Sequence, residues 1–403
     1  LDTAKSIICI ITQSHLCRNP RVLKEAVTLA QNGYAVHVLT SIYSATLLHE
    51  DQKAISDTGV QLHIIADNSA RNFRSFINRA TNKVAKLLVK YELLQTPYAL
   101  GYRYGQYLKK SKELVAALYI CHQEMPTCVG MALLKQGYKV AFDLEDWYSE
   151  DLLPEAQQGR PIELLEQAEA MALSKGAYTI TTSHALADIL YNRYGGNIAS
   201  VIYNVFPSPK LKAAEPNTAP PLRLLWFSQT IGPGRGLEEF ISLLTDIKTG
   251  VEIHLLGAID AAYKTQLLVL VAPQHSVHFH PLVPEGSLMD RIAEFDIGLA
   301  LENTHPLSRN YTITNKFFQY IQTGLPVIAT ETAGQAEAFE VFNPGIMLRK
   351  NDKVQSIKLL ESWLSDPSAL VQSAERAHEA AKYYNWETES VKLLKLVSDA
   401  IGK

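Results

Sequence analysis

The sequence predicts an α/β protein built from two doubly wound, Rossmann-like parallel sheets that face each other across a cleft. Three observations carry this. Short apolar runs alternate with stretches of helical periodicity, as βαβ units require. The alternation breaks at a proline-rich stretch and restarts beyond it. A length of 403 residues exceeds what one hydrophobic core usually supports, and a hydrophobic content of 47% is enough for two.

The first domain opens with the continuous apolar run Ile7–Thr12, as expected of a parallel strand covered on both faces. Asn19-Pro20 supplies an N-cap and a first-turn proline. Val22, Leu23, Ala26, Leu29 and Ala30 follow at helical spacing, and Gly33 closes the helix. Ala35–Thr40 is the next strand. Leu62–Ala66 and the end of Leu114–Cys121 read as strands, Pro126–Gln136 as a helix and Lys139–Leu144 as a strand. Pro161–Ser174 is helical, Tyr178–Thr182 extended, Ala185–Tyr194 helical and Val201–Tyr203 a short strand.

Residues 206–221 carry five prolines in 16 positions and read as an interdomain linker. The pattern then resumes with strands at Arg223–Phe227, Glu252–Gly257, Val277–His280, Ile297–Leu301 and Pro326–Thr330. Helices at Leu237–Thr245, Ala261–Val271, Pro284–Glu294 and Thr314–Thr323 separate them, and Pro326–Thr330 completes the second sheet. The expected domains are 1–205 and 222–387, with a last helix over 388–403 crossing back to the first. Ligands of such sheets sit at the carboxyl ends of the strands.

A formal net charge of −3 argues against a general nucleic-acid binder. Cys9, Cys17, Cys121 and Cys128 form no CxxC pair and no zinc-spaced cluster with histidine, so buried thiols in a reducing cytoplasm are expected, with no metal. No apolar run approaches the length of a membrane span. Residues 71–113 are locally basic, with ten Lys/Arg against Glu92 and Glu113 and with apolar residues interleaved. They are either a pair of solvated helices or a basic amphipathic face that meets anionic lipid or a lipid-phosphate acceptor.

The strongest chemical signal is the stretch from Thr314 to Thr330. Asn315 and Lys316 fall in the first turn of a helix, where free N–H groups and the helix dipole favour an anion. A cation there is unfavourable for stability alone, so Lys316 points to a phosphate. A second candidate is the turn Ser228-Gln229-Thr-Ile-Gly-Pro-Gly-Arg235-Gly236 after a strand, where backbone can approach a diphosphate and Arg235 can donate two hydrogen bonds. In the first domain His122 follows one strand, and Asp143-Leu-Glu145-Asp146 follows another. His122, Glu145 and Asp146 are candidate acceptor-orienting or proton-handling groups, alongside structural readings as a satisfied histidine and helix caps. His15, Arg18 and Arg21 follow the first strand and could bind an anionic group; Arg21 could equally be a surface residue.

These residues together resemble the GT-B fold glycosyltransferases of the family-four-like group. The resemblance runs from Asn19–Val38 through Tyr119-Ile-Cys-His122, Phe142–Asp146, Ala177–Thr182, Val201–Val205, Arg235-Gly236 and Asn315–Ala329 to Trp386 and its helix. It implies a metal-independent, retaining hexosyl transfer from a UDP- or GDP-linked sugar, with no cofactor beyond that co-substrate. Lys316 and Arg235 would hold the diphosphate, with His122 close to the transferred sugar. The acceptor would be a glycan or lipid-linked molecule of cell-surface polysaccharide assembly, reached from the cytoplasm or from the inner face of the membrane. Two positions depart from the pattern: Gln319 stands where an acidic residue meets the ribose, with Tyr311 at the first position of that acidic pair, and Gln229 stands where an arginine is usual. Arg309 could replace the missing cation. The departures keep open a catalytically weak homologue that stabilises another enzyme; a sugar-nucleotide epimerase of the same fold is a further alternative.

Overall fold

The computed structural model describes residues 5–70, 72–208 and 217–402. Arg71 of the basic segment and residues 209–216 of the expected linker lie outside them. The chain divides into two compact units, one formed by Leu1–Ile202 with Ser390–Lys403 and the other by Tyr203–Glu389. The division falls inside the helix Trp386–Ile401.

The first unit holds seven strands: β1 Ile7–Ile11, β2 Ala35–Ile42, β3 Gln61–Asp67, β4 Leu118–His122, β5 Val140–Leu144, β6 Thr179–Thr181 and β7 Ser200–Val201. They pair in the order β3-β2-β1-β4-β5-β6-β7, every pair parallel. Their central residues are enclosed on both faces: Ile8, Cys9, Ile10, Ile120, Cys121 and Phe142 have no exposed surface. All four cysteines are free. The helix Pro20–Gln31 starts as its sequence demands, with the Asn19 side chain accepting from the Val22 N–H and Pro20 in the first turn.

The second unit holds β8 Leu222–Ile231, β9 Val251–Ile259, β10 Ser276–His280, β11 Ile297–Ala300, β12 Val327–Thr330 and β13 Gly345–Leu348. Their order is β10-β9-β8-β11-β12-β13, again all parallel. Two features differ from expectation. β13 lies beyond β12 at the sheet edge, so Pro326–Thr330 does not complete the sheet; its start falls in Asn343-Pro344-Gly345, a turn signal. β8 also runs past Phe227 to Ile231, pairing Thr230 with Ala258 and Ile231 with Ile259 after a register shift. Gln229, expected in a loop, therefore lies exposed on a strand extension.

In each sheet the order reverses once, between β1 and β4 and between β8 and β11. Such reversals leave a crevice at the carboxyl ends of the strands. In the second unit one residue braces this point. Tyr320, on the helix Asn315–Gln322, donates its hydroxyl to the carbonyl oxygens of Leu225 at 2.9 Å and Leu299 at 3.3 Å, one on each strand. Its ring lies on Gly298, where a Cβ would come within 2.2 Å of it. Gly298→Ala should therefore overpack this contact. We expect a loss of about 1–3 kcal/mol in stability, read as a lower denaturant midpoint for the second unit.

Candidate functional site

The crevice of the second unit gathers charge from three loops. After β8 the chain turns through Gly232-Pro233-Gly234-Arg235-Gly236. Gly236 has φ +80° and starts the helix Leu237–Leu244; a side chain there would strain the backbone. After β11 comes Glu302, nearly buried. Its backbone N–H donates to Thr330 Oγ1 at 2.8 Å, and the Thr330 hydroxyl donates back to its carbonyl at 2.7 Å. The Glu302 carboxylate accepts from Lys316 Nζ at 3.4 Å and lies 3.8 Å from Arg235 Nη1, a charge contact longer than a hydrogen bond. Lys316 is largely buried, with Nζ 5.1 Å from the centre of the Trp226 ring. Burial lowers its pKa below the ordinary lysine range, opposed by Glu302 and reinforced by Arg235 and Arg309. Arg309 donates to the Gly234 carbonyl at 3.0 Å, which ties it to the glycine turn.

Two cations thus share one carboxylate beside the start of the helix Asn315–Gln322, with Arg309 on the adjoining glycine turn. Thr314 holds the N-cap position, but its side chain accepts no capping hydrogen bond, and the first turn holds no acidic residue. The neighbouring helix Leu237–Leu244 instead has Glu238 and Glu239 in its first turn. Of the two, the helix at Asn315 presents the electropositive end suited to an anion. Asn315 is exposed and accepts from Asn204 at 3.0 Å. Gln319, half-buried one turn on, makes no side-chain hydrogen bond with the described residues.

The first unit holds a different arrangement at its reversal. His122, at the end of β4, has no exposed surface and both ring nitrogens engaged. Nε2 meets Glu25 at 2.5 Å; Nδ1 meets Glu145 at 3.1 Å and Asp143 at 3.4 Å. Burial alone would lower its pKa; Glu25, Asp143 and Glu145 outweigh burial and push it up to about 10, so the ring is an imidazolium at neutral pH. Arg21 completes the cage, donating to Asp143 at 2.5 Å and to the Ile202 carbonyl at 2.7 Å. A surface role for Arg21 is thereby excluded, since it is 2% exposed and its guanidinium is held internally. His15 is similarly enclosed: Nδ1 meets Asp51 at 2.6 Å, and Nε2 accepts from the Tyr43 and Ser44 N–H groups at 3.0 and 3.3 Å. Of the three residues expected on the acceptor side, Arg18 alone is exposed.

Glu145 stays half-open and takes two hydrogen bonds from the Asn19 amide. Burial works to raise its pKa, but His122 and Arg21 overcome that and hold it low. Asp146, by contrast, is driven well up by burial and by Asp151, Glu145 and Glu124, so it keeps a proton to higher pH. Beside them lie residues the sequence did not single out. Gln123 follows β4 with φ +69°, a strained conformation for a side-chain-bearing residue, and its side chain bonds to Thr12 at 2.8 Å and to the Gln13 N–H at 2.9 Å. Glu124 pairs with Arg160 at 3.0 Å. Among the described residues, three groups have potential ligand atoms within 4.8 Å: His15 with Cys17 and Asp51, Glu25 with His122 and Asp143, and Glu252 with His254 and His278. In the first two, both histidine nitrogens are already engaged, one by a carboxylate of the group and the other by a neighbour outside it.

Residues 235–395 match the family described as Glycosyl transferase-like. No curated relative matches the chain. Among solved structures, sucrose-phosphate synthase from Thermosynechococcus elongatus superposes with a TM-score of 0.71 at 13% identity, over 99% of this chain and 100% of that one. Anabaena HepE in complex with UDP-glucose gives 0.67 at 16% identity, over 98% and 99% of the two chains. WaaG, a glycosyltransferase involved in lipopolysaccharide biosynthesis, gives 0.61 at 14% identity, over 96% and 98%. The chain has the GT-B fold of these structures, and its residues 235–395 match a glycosyltransferase-like family. At these identities the solved structures speak for the fold alone; the family match covers Arg235, Glu302, Arg309, Lys316 and Gln319 together.

In this GT-B homologue the buried imidazolium has a measurable consequence. The His122 pKa is raised on folding, so its contribution to stability is complete below about pH 6.5, the unfolded value, and is lost as pH rises through about 10. Over that window the native state holds the extra proton, and stability should fall by up to about 1.4 kcal/mol per pH unit. His122→Gln should remove that slope. It should also cost about 3–5 kcal/mol at pH 7, since three buried carboxylates would then face Arg21 alone. Denaturant titrations of both proteins across the window test this.

Proposed function

We propose that the chain is a retaining glycosyltransferase that moves a hexose from a nucleotide-diphosphate sugar to a glycan or lipid-linked acceptor in cell-surface polysaccharide assembly. The observation that carries this is the excess of positive charge at the second unit's crevice: Lys316 and Arg235 on the carboxylate of Glu302, and Arg309 on the neighbouring glycine turn, next to an uncapped helix N-terminus. A diphosphate carries the charge and the oxygen acceptors that this arrangement lacks. The same cations would stabilise the negative charge that develops on the diphosphate as it leaves the sugar. Arg309 would stand in for the arginine missing at Gln229. UDP is the first base to test, because UDP-glucose is the ligand in the HepE structure; GDP is the second.

In the first unit, Glu145 and Asp146 are the proposed proton-handling pair, since their environments drive their pKa values apart. His122 would act as fixed positive charge, holding Glu145 ionised. The chain would work in the cytoplasm; among the described residues no helix is long and apolar enough to cross a membrane. A second reading, a catalytically weak homologue that stabilises another enzyme, rests on Gln319, which can hydrogen-bond a ribose hydroxyl without charge.

Donor binding measured by calorimetry tests the proposal. Lys316→Ala and Arg235→Ala should each weaken UDP-sugar affinity about 10- to 100-fold, the range for a lost charge-assisted hydrogen bond. Wild-type affinity in both variants removes the proposed site. Affinity should also decline as pH rises through the depressed Lys316 pKa, because the neutral amine no longer pairs with the diphosphate. Donor binding without transfer or donor hydrolysis would favour the second reading.

A further inference from the structure

The helix Phe73–Lys90 is amphipathic in the wrong sense for a helix packed on a globular protein. Its inward stripe is small and polar: Ser75, Asn78, Asn82, Ala85 and Val89 are buried or half-buried. Asn78 donates to Asn68 Oδ1 at 3.1 Å and Asn82 to the Tyr98 carbonyl at 2.7 Å. The large apolar residues Phe73, Phe76, Ile77, Val84 and Leu87 point away from the protein and are 45–75% exposed. At about 100° per residue these five fall within an arc of about 100°, a continuous stripe along the outer face. Tyr91, Leu93 and Leu94 prolong it past the helix end. A surface helix normally turns such a stripe towards the core.

The flanks of the stripe are basic. Arg79, Lys83, Lys86 and Lys90 line one side and Arg74 the other, and the helix contains no Asp or Glu. The Asn72–Ser75 capping box satisfies the helix start internally, so the polarity is not explained by capping. We infer that this outer face docks on the surface of a bilayer containing anionic phospholipid, with the apolar stripe entering the headgroup boundary and the flanking cations on lipid phosphates. A second copy of the chain fits the same face poorly. A two-fold contact would set five cations against five, with no carboxylate on either helix. The inference goes beyond the proposed transfer reaction and is independent of it.

Co-sedimentation of the full chain with vesicles decides it. The protein should bind vesicles of mixed phosphatidylcholine and phosphatidylglycerol, bind phosphatidylcholine alone far more weakly, and dissociate as salt is raised. The triple variant Arg79→Gln, Lys83→Gln, Lys86→Gln should bind the mixed vesicles about 100-fold more weakly, at roughly fivefold per cation. The variant Phe76→Asp, Ile77→Asp should lose binding while keeping the wild-type thermal midpoint, since both side chains are exposed. Failure of the wild type to bind mixed vesicles overturns the proposal, as does unchanged binding by both variants. So does self-association in solution that Phe76→Asp, Ile77→Asp abolishes without any vesicle binding by the wild type, which assigns the stripe to a second copy.

Discussion

The reversal of strand order at β8 and β11 is the constraint on which the second unit's chemistry depends. Connections leaving the two adjacent strands run to opposite sides of the sheet, so the backbone after each strand is left beside an opening that no helix fills. The glycine turn and Arg235 follow β8, and Glu302 follows β11. The helix Asn315–Gln322 then has to return across the same strand ends, and Tyr320 holds it there through a carbonyl of each strand. Lys316 lies one turn earlier on that helix. The position of the charge is therefore set by topology and by one packed ring on Gly298, more than by any attraction among the charged groups.

The first unit has the same topology and a contrasting electrostatic character. Arg21 and the His122 imidazolium face Glu25, Asp143 and Glu145 in a region closed to solvent apart from part of Glu145. Burial, helped by Glu145, pushes Asp143 up to about 6 against the pull of Arg21 and His122. Such a cage is a weak source of net stability: desolvation of each charge offsets much of the attraction, although removing one partner is costly. What it does provide is a fixed orientation. Its one half-open member, Glu145, is held ionised at a defined point beside Asp146 and the strained Gln123.

Much of this architecture is written in the sequence. Apolar runs and capping signals locate twelve of the thirteen strands to within a few residues, because parallel strands buried on both faces are nearly continuous in Val, Ile and Leu. β13 escapes because it opens inside Asn343-Pro344-Gly345, which reads as a turn, and the extension of β8 escapes because Ser228-Gln229-Thr230 is polar and reads as loop. At the candidate site, Lys316 was legible because a cation in a helix's first turn is locally unfavourable and demands a reason. Glu302 was not, being one acidic residue after a strand whose partners lie 14 and 67 positions away in sequence. The cage left one trace: Arg21 and Glu25 share the helical face that Val22 and Leu29 bury, an unusual place for charge. The left-handed backbone of Gln123 left none.

The two clusters differ in what they leave unsatisfied, and that difference indicates where a ligand can act. In the first unit both nitrogens of His122 already have carboxylate partners, so a substrate phosphate would find that ring closed to it. In the second unit the balance runs the other way. Glu302 meets two cations at 3.4 and 3.8 Å, distances too long for strong hydrogen bonds, and its Oε2 atom is buried with no hydrogen-bond partner among the described residues. A carboxylate in that position keeps Lys316 and Arg235 from repelling each other, yet binds neither tightly. A diphosphate entering beside it could take shorter bonds from both side chains and from the free helix N–H groups, with little to displace. In the proposed diphosphate site, Glu302 would hold the cations ready and would not be their final partner.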